Sequence, residues 1–366
     1  MDLIDIVFVA GGTGGHIFPA IAIARRLIKE KPDVKILFLG RGGSMEEDLI
    51  KSNDFPFQTV EAVMMKRSVI GVLRFLMSYP VNIVRSLLML NRLKPSLVMV
   101  TGGYVAGTVG TAAFLRRIPL VLQEQNSIPG LASRLLNVFA SKTFLGYPKA
   151  EKKLLRKSTS EYVGNPVRDE IGKLIRTEGC RILGCRSDRL NILIIGGSQG
   201  AESVNRAMEA ILTEPVFDKN RINLIWQCGK KDQERIRAAC ENAGIEALVE
   251  PFFHRIDAVY SAADVAVCRG GAVTLAELSK AGIPMIIIPF KYATANHQME
   301  NAVFHQSIGS ALVVKDDEHL VSNLLIGLQR LLGSDEVRNR MSQSAKRFQS
   351  KGTGRITDYI MELLER

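Results

Sequence analysis

Two short apolar runs, residues 265–268 and 285–289, bracket a helical stretch, and that arrangement leaves few folds open. Continuous apolar strands on either side of a helix are the sequence form of a parallel βαβ unit. In such a sheet, ligands bind at the carboxyl ends of the strands. The turn Arg269-Gly270-Gly271-Ala272 and the loop Asn296-His297-Gln298 both fall there. The turn opens a helix carrying Thr274 and Glu277, and the free N–H groups and positive dipole end of a helix suit an anion. A carboxylate one turn in repels phosphate but accepts hydrogen bonds from sugar hydroxyls. The parts therefore describe a nucleotide-sugar pocket better than a plain phosphate site. Singly they are bland: Thr274-Leu275-Ala276-Glu277 fits a capping box, Gly270-Gly271 a tight turn, Gln298 an ordinary exposed side chain. Their joint spacing is what points to a pocket.

The same module recurs along the chain. Residues 4–10 read as a strand feeding Gly11-Gly12-Thr13-Gly14-Gly15-His16 and a helix over 21–28. Residues 35–39 lead to Gly40-Arg41-Gly42-Gly43 and a helix near Ser44, with Glu47 placed as its capping-box partner. Strands over 97–100 and 120–123 end in Thr101-Gly102-Gly103-Tyr104 and Glu124-Gln125-Asn126. The pattern restarts at 191–195 with Gly196-Gly197-Ser198-Gln199-Gly200-Ala201, followed by strands over 224–227 and 247–249. The expected fold is α/β, two doubly wound, Rossmann-like domains facing across a cleft. Gly164-Asn165-Pro166 reads as the linker. That gives an N-terminal acceptor- and membrane-associating domain over 1–163 and a nucleotide-binding domain over 164–344. Amphipathic helices over 337–348 and 355–364 close the chain, and the segment of about 345–366 is expected to return onto the first domain. Dinucleotide oxidoreduction is disfavoured, because the first turn lacks G-x-G-x-x-G spacing and Arg41 stands where an acid should end strand two.

Composition narrows the setting. Apolar content of 46% with 23% charged residues is that of a soluble globular protein. Asp2 and Asp5 stand where a secretory leader would be basic, and no run approaches the roughly 20 apolar residues of a membrane span. The five cysteines show no CxxC pair, so reduced thiols and a cytoplasmic setting are expected. The net charge of +11 lies almost wholly in residues 1–161, at +10. No acid occurs between Glu61 and Glu124, while Arg67, Arg74, Arg85 and Arg92 punctuate an apolar stretch over 69–90. Pro80 is expected to split that stretch into two helices. An apolar face flanked by arginines suits an anionic membrane surface; the bland alternative is a buried helix with solvated arginines. Nucleic acid fits poorly, since aromatic residues are only 6%.

Two sheets presenting glycine turns suggest a donor nucleotide in one domain and an acceptor in the other. Ser198-Gln199-Gly200 can offer N–H groups to a diphosphate, with Arg168 as a nearby cation. No D-x-D pair follows a strand, and Asp316-Asp317 lies in a loop without that context, so no metal or other cofactor is expected. The departing diphosphate would rely on helix dipoles and cationic side chains. His16 is a candidate general base for an acceptor hydroxyl, since imidazole titrates at about 6.5; the bland reading is a histidine bonding a backbone group at a helix N-terminus.

These motifs, in order, resemble those of the MurG family of peptidoglycan N-acetylglucosaminyltransferases with the GT-B fold. The resemblance rests on GGTGGHIFP over 11–19, TGGYV over 101–105, Glu124-Gln125-Asn126, VGNPVR over 163–168, GGSQGA over 196–201, CRGGA over 268–272, and Asn296-His297-Gln298 with Asn301-Ala302. It implies inverting transfer of GlcNAc from UDP-GlcNAc to the 4-hydroxyl of MurNAc on lipid I (undecaprenyl-pyrophosphoryl-MurNAc-pentapeptide), giving lipid II and UDP. By motif match, Thr13, Gly14 and Gly15 would line the donor sugar, and Asn126 and Gln298 would contact GlcNAc. Arg168 and Ser198 would hold the diphosphate, and Phe253 would present its backbone to the uracil. Ala272, Val273, Thr274 and Glu277 would wrap the diphosphate and ribose. The family's acceptor lipid implies a peripheral position on the cytoplasmic face of the membrane. The family often has Ser at Gly270, Gln at His297 and an aliphatic residue at Phe253. Two other readings remain at this stage: a UDP-GlcNAc 2-epimerase or another GT-B enzyme, and a silent membrane partner that only binds nucleotide-sugar.

Overall fold

The computed structural model describes residues 4–12, 14–61, 69–103, 105–197, 200–215, 217–348 and 350–365. Thr13, Arg67, Tyr104 and Ser198 lie outside them. The chain divides into two units, residues 1–168 with 350–366, and residues 169–349.

The first unit opens with β1 (Ile6–Ala10), α1 (Gly14–Glu30), β2 (Ile36–Gly40), α2 (Ser44–Lys51), β3 (Phe57–Thr59) and α3 (Val69–Leu93). It continues through β4 (Leu97–Gly102), α4 (Ala106–Leu115), β5 (Leu120–Glu124), α5 (Leu131–Leu136), β6 (Lys142–Leu145) and β7 (Ser160–Tyr162). Its seven strands are all parallel, in the order β3-β2-β1-β4-β5-β6-β7. β1 is buried along its whole length because helices cover both faces of the sheet. One apolar layer joins Phe8 and Phe38 to α1; the other joins Val7 and Val98 to α3 and α4.

The second unit holds α6 (Arg176–Leu183), β8 (Leu190–Ile195), α7 (Glu202–Ile211), β9 (Ile222–Gln227), α8 (Gln233–Asn242), β10 (Ala247–Glu250) and α9 (Ile256–Ala262). It closes with β11 (Val265–Cys268), α10 (Ala272–Ala281), β12 (Met285–Ile287), α11 (His297–Ser307), β13 (Ala311–Val313), α12 (Leu320–Leu332) and α13 (Asp335–Arg347). Six parallel strands run in the order β10-β9-β8-β11-β12-β13. The last helix, α14 (Gly352–Leu364), belongs to the first unit, where Ile356 and Ile360 join the core of β1 and α1.

Each sheet reverses its winding once, between β1 and β4 in the first and between β8 and β11 in the second. Such switch points leave a crevice at the carboxyl ends of the two strands, where doubly wound folds bind ligands.

Four local expectations are corrected. α1 starts at Gly14 rather than near residue 21, with Pro19 inside it; proline removes one backbone bond, and the buried face of Ile17, Ile21 and Ala24 carries the helix through. Likewise α3 runs unbroken through Pro80. Ser44 is the first residue of α2 behind the cap Gly43, so no capping box forms, and Glu47 instead pairs with Lys51 at 2.6 Å. Gly164-Asn165-Pro166 is not a free linker: Asn165 is 2% exposed and hydrogen-bonded within the first unit.

Candidate active site

The switch point of the second sheet opens into a cavity of about 590 Å³. Its walls are the glycine turn after β8, the first turn of α7, Arg269 and Gly271 after β11, Thr274 of α10, the segment 290–292, Gln298 and Asp316. The residues before α7 and α10, Ala201 and Gly271, make no side-chain cap, and the first turns of both helices, with their positive dipole ends, lie at the cavity wall.

α10 begins at Ala272, with Gly271 as its cap, which places Thr274 and Glu277 inside the helix. The capping-box reading of that pair is therefore wrong. Ala272 and Val273 are 6% and 7% exposed, while Thr274 is half-buried and lines the cavity. Glu277 is 3% exposed, accepts a hydrogen bond from Tyr260 Oη at 3.1 Å, and is not part of the cavity wall.

Gln298 opens α11 next to the cavity. Its Oε1 accepts from Gly270 N at 3.1 Å and Phe290 N at 3.0 Å, so its Nε2 is the group left to donate. A Cβ on Gly270 would stand 2.4 Å from Gln298 O, so the glycine is what lets the two loops meet. His297 turns its Nδ1 to Thr294 O at 2.7 Å, within its own loop. Phe253 is 7% exposed and already donates its N–H to Gln227 Oε1 at 3.1 Å, so only its carbonyl remains to offer. Gln227 also donates to Gly197 O at 2.9 Å and so ties that strand end to the glycine turn.

The charges at the cavity were the part that sequence reasoning missed. Arg269 bonds Asp316 Oδ2 at 2.8 Å, Ser203 Oγ at 2.7 Å and Ile288 O at 3.2 Å, and lies over the Phe290 ring at 5.4 Å. Asp316, a loop residue with no D-x-D context, also accepts from Ser203 Oγ at 2.8 Å. The one available signal was position, because Arg269 follows a strand at its carboxyl end. Glu202 at the rim pairs with Arg206 at 3.0 Å and Lys231 at 3.7 Å; these partners, Arg206 first, hold its carboxyl below the ordinary range.

The remaining expected residues sit in the first unit. Gly14 and Gly15 open α1, and His16 follows at the β1–β4 switch point. His16 Nδ1 lies 2.9 Å from Thr101 O and 3.2 Å from Gln125 Oε1. A Cβ on Gly102, whose φ is +125°, would come within 2.4 Å of that nitrogen. Gly12 N–H is taken by the Glu46 carboxylate, itself 7% exposed. Asn126 is half-buried, its N–H donated to Glu124 Oε1 at 3.0 Å. The Arg168 guanidinium stacks on Phe18 at 4.6 Å.

Two family models cover most of this chain: the glycosyltransferase family 28 N-terminal domain over residues 6–145 and the family 28 C-terminal domain over 191–355. The chain belongs to glycosyltransferase family 28. Family 28 relatives match it over nearly their whole length. One from Halothermothrix orenii is 34% identical over 353 residues, 94% of each chain. One from Desulfotalea psychrophila is 35% identical over 364 residues, 99% of this chain and 97% of its own. Both are named UDP-N-acetylglucosamine–N-acetylmuramyl-(pentapeptide) pyrophosphoryl-undecaprenol N-acetylglucosamine transferase. The crystal structure of Acinetobacter baumannii MurG superposes with a TM-score of 0.74 at 27% identity, covering 98% of this chain and 99% of that one. The chain is thus a MurG-type family 28 hexosyltransferase with the two Rossmann-like domains of the GT-B fold.

Proposed function

We propose that this enzyme transfers GlcNAc from UDP-GlcNAc to the 4-hydroxyl of MurNAc on lipid I, with inversion, forming lipid II and UDP. The observation that carries the reading is the cavity at the β8–β11 switch point, with the first turns of α7 and α10, and so their positive dipole ends, at its wall. The diphosphate lies against those positive helix ends, and the Gln298 Nε2 donates to the sugar. Thr274 and its neighbours Ala272 and Val273 line the diphosphate, with Glu277 turned toward the ribose by a rotamer change away from Tyr260. Arg168 and Ser198 add to diphosphate binding, Phe253 offers its carbonyl to the uracil, and Thr13 and Asn126 contact the sugars. Helix dipoles and side-chain cations then stabilise the negative charge that develops on the leaving diphosphate.

In the first domain His16 accepts the proton of the acceptor hydroxyl as that oxygen attacks the anomeric carbon. Bond formation from the face opposite the departing UDP inverts the centre. Docking of the lipid acceptor uses the outer face of α3. Met77, Val81, Val84 and Leu88 follow one another at helical spacing and are 51–72% exposed, whereas Asn82, Ser86, Leu90 and Leu93 on the other side are buried. Arg92, Arg116 and Arg117 are exposed nearby in sequence; Arg85 is paired with Glu61, so it adds less charge than the sequence suggested.

The test is UDP release by purified protein given UDP-GlcNAc with and without a lipid I analogue in detergent. Release that requires the analogue, and that falls on the order of 100-fold in His16→Ala with UDP-GlcNAc binding kept, is expected. Release independent of the acceptor would sink the transferase reading, and an unimpaired His16→Ala would remove His16 from it.

A further inference from the structure

Gln123 and Gln125 stand two residues apart at the end of β5, so their side chains leave the same face of the strand. Between them Glu124 points the other way and accepts from Asn126 N and Gly130 N. The two carboxamides meet: Gln125 Nε2 donates to Gln123 Oε1 at 2.6 Å. Gln123 Nε2 in turn donates to Asn165 Oδ1 at 3.0 Å, and Asn165 Nδ2 donates back to the Gln125 main-chain carbonyl at 3.0 Å. All three amides are 1–2% exposed.

The direction of this chain is fixed at both ends by carbonyls that can only accept, the Gln125 main-chain oxygen and Thr101 O. Thr101 O receives Gln125 Nε2 at 2.6 Å. Turning the Gln125 amide over would set its oxygen against two acceptors, Thr101 O and Gln123 Oε1. Gln125 Oε1 is therefore the atom that faces His16 Nδ1, and Thr101 O faces the same nitrogen. Two acceptors on one ring nitrogen require it to carry the hydrogen, which leaves Nε2 with the lone pair.

We propose that Gln125, locked by the buried Gln123–Asn165 amide chain, is a positioning residue that holds His16 in the Nδ1–H tautomer with Nε2 as the proton acceptor. This rests on His16 being the base, as argued above. The clamp is neutral. A carboxylate in the place of Gln125 would favour the imidazolium, which cannot take a proton, whereas an amide orients the ring without adding charge. Charged groups on the surrounding elements are engaged elsewhere. Glu46 of α2 holds Gly12 N, Glu124 holds the loop after β5, Arg168 lies on Phe18, and Arg355 of α14 pairs with Glu161 at 2.9 Å.

Two measurements on the full chain test this. The ¹⁵N shifts of labelled histidine, with His16 assigned among the five by His16→Ala, report its tautomer directly; Nδ1–H is expected, and Nε2–H would overturn the proposal. In Gln125→Glu the acid limb of the kcat–pH profile is expected to move upward by about one to two pH units. Activity lost at neutral pH should then return as pH rises, with the KM for UDP-GlcNAc within twofold of the parent. A folded Gln125→Glu whose acid limb stays in place would refute the clamp's catalytic role even if His16 is the base. An Nδ1–H ring together with a fully active His16→Ala would instead fault the base reading. The tautomer measurement needs no variant at position 125 to fold.

Discussion

Asp316→Asn removes one charge from the cavity wall while keeping the shape of the side chain. Asp316 and Arg269 have side chains only 8% and 12% exposed, and they share Ser203 as a third partner. Breaking a buried ion pair from one side costs about 3–5 kcal/mol, since the other charge is left uncompensated. The asparagine oxygen still accepts one hydrogen bond and the cavity admits water, so the expected loss is about 2–3 kcal/mol. For a domain of this size, residues 169–349, each kcal/mol lowers Tm by about 2–4 °C, which gives a drop of about 4–12 °C in its thermal transition. Ligand binding should move the other way. Losing an anion that repels the diphosphate is worth about 1 kcal/mol at an effective dielectric between protein surface and water, or about fivefold tighter UDP. Calorimetric melting with and without UDP, and titration calorimetry of UDP, measure both effects. A Tm within about 2 °C of the parent would refute the cost assigned to breaking the Asp316–Arg269 pair, and UDP binding that weakens would show that Asp316 does not stand against the nucleotide's charge.

Two other perturbations follow from the same structure. Replacing Val84 and Leu88 by Asp should cut sedimentation with anionic vesicles by more than about tenfold, because each apolar side chain withdrawn from the lipid weakens binding by roughly 1 kcal/mol or more, while UDP-GlcNAc binding stays intact; unchanged sedimentation would remove α3 from the docking surface. Burial pushes the His305 imidazole down to about 4, beside Ser279 and Ser310. The unfolded chain takes up that proton near 6.5 and the folded chain does not, so its contribution is complete above about pH 6.5 and drains away toward pH 4. Urea unfolding between about pH 4 and 8 should show a loss of up to roughly 3 kcal/mol that His305→Asn abolishes.

Central strands were legible because both faces are buried, and their apolar runs need no partner to be recognised; β11 was read residue for residue as Val265–Cys268. The three-residue strands β3 and β7 carry too few apolar residues to stand out. Glycine and proline mislead at the start of α1, at Gly14 and Pro19, and inside α3, at Pro80, because tertiary packing outweighs one missing backbone bond. At the sites, the glycine turns announced the switch points. What sequence withheld were pairings across long separations: Arg269 with Asp316, 47 residues on, and Gln123 with Asn165, 42 residues on. Local spacing says nothing about such partners, since they meet only once the sheets have formed.

The return of α14 to the first domain sets an order of assembly. Residues 169–349 contain everything their own sheet and core require, so that domain can finish folding while the chain is still being made. The first domain cannot, although most of it is synthesised earlier. Ile356 and Ile360 seal the layer under β1 and α1, and Tyr359 meets Phe144 edge-on at 5.6 Å. Until they emerge, an apolar surface stays open on the domain that carries the exposed α3 stripe, and a growing chain presents there one apolar face more than the mature chain does.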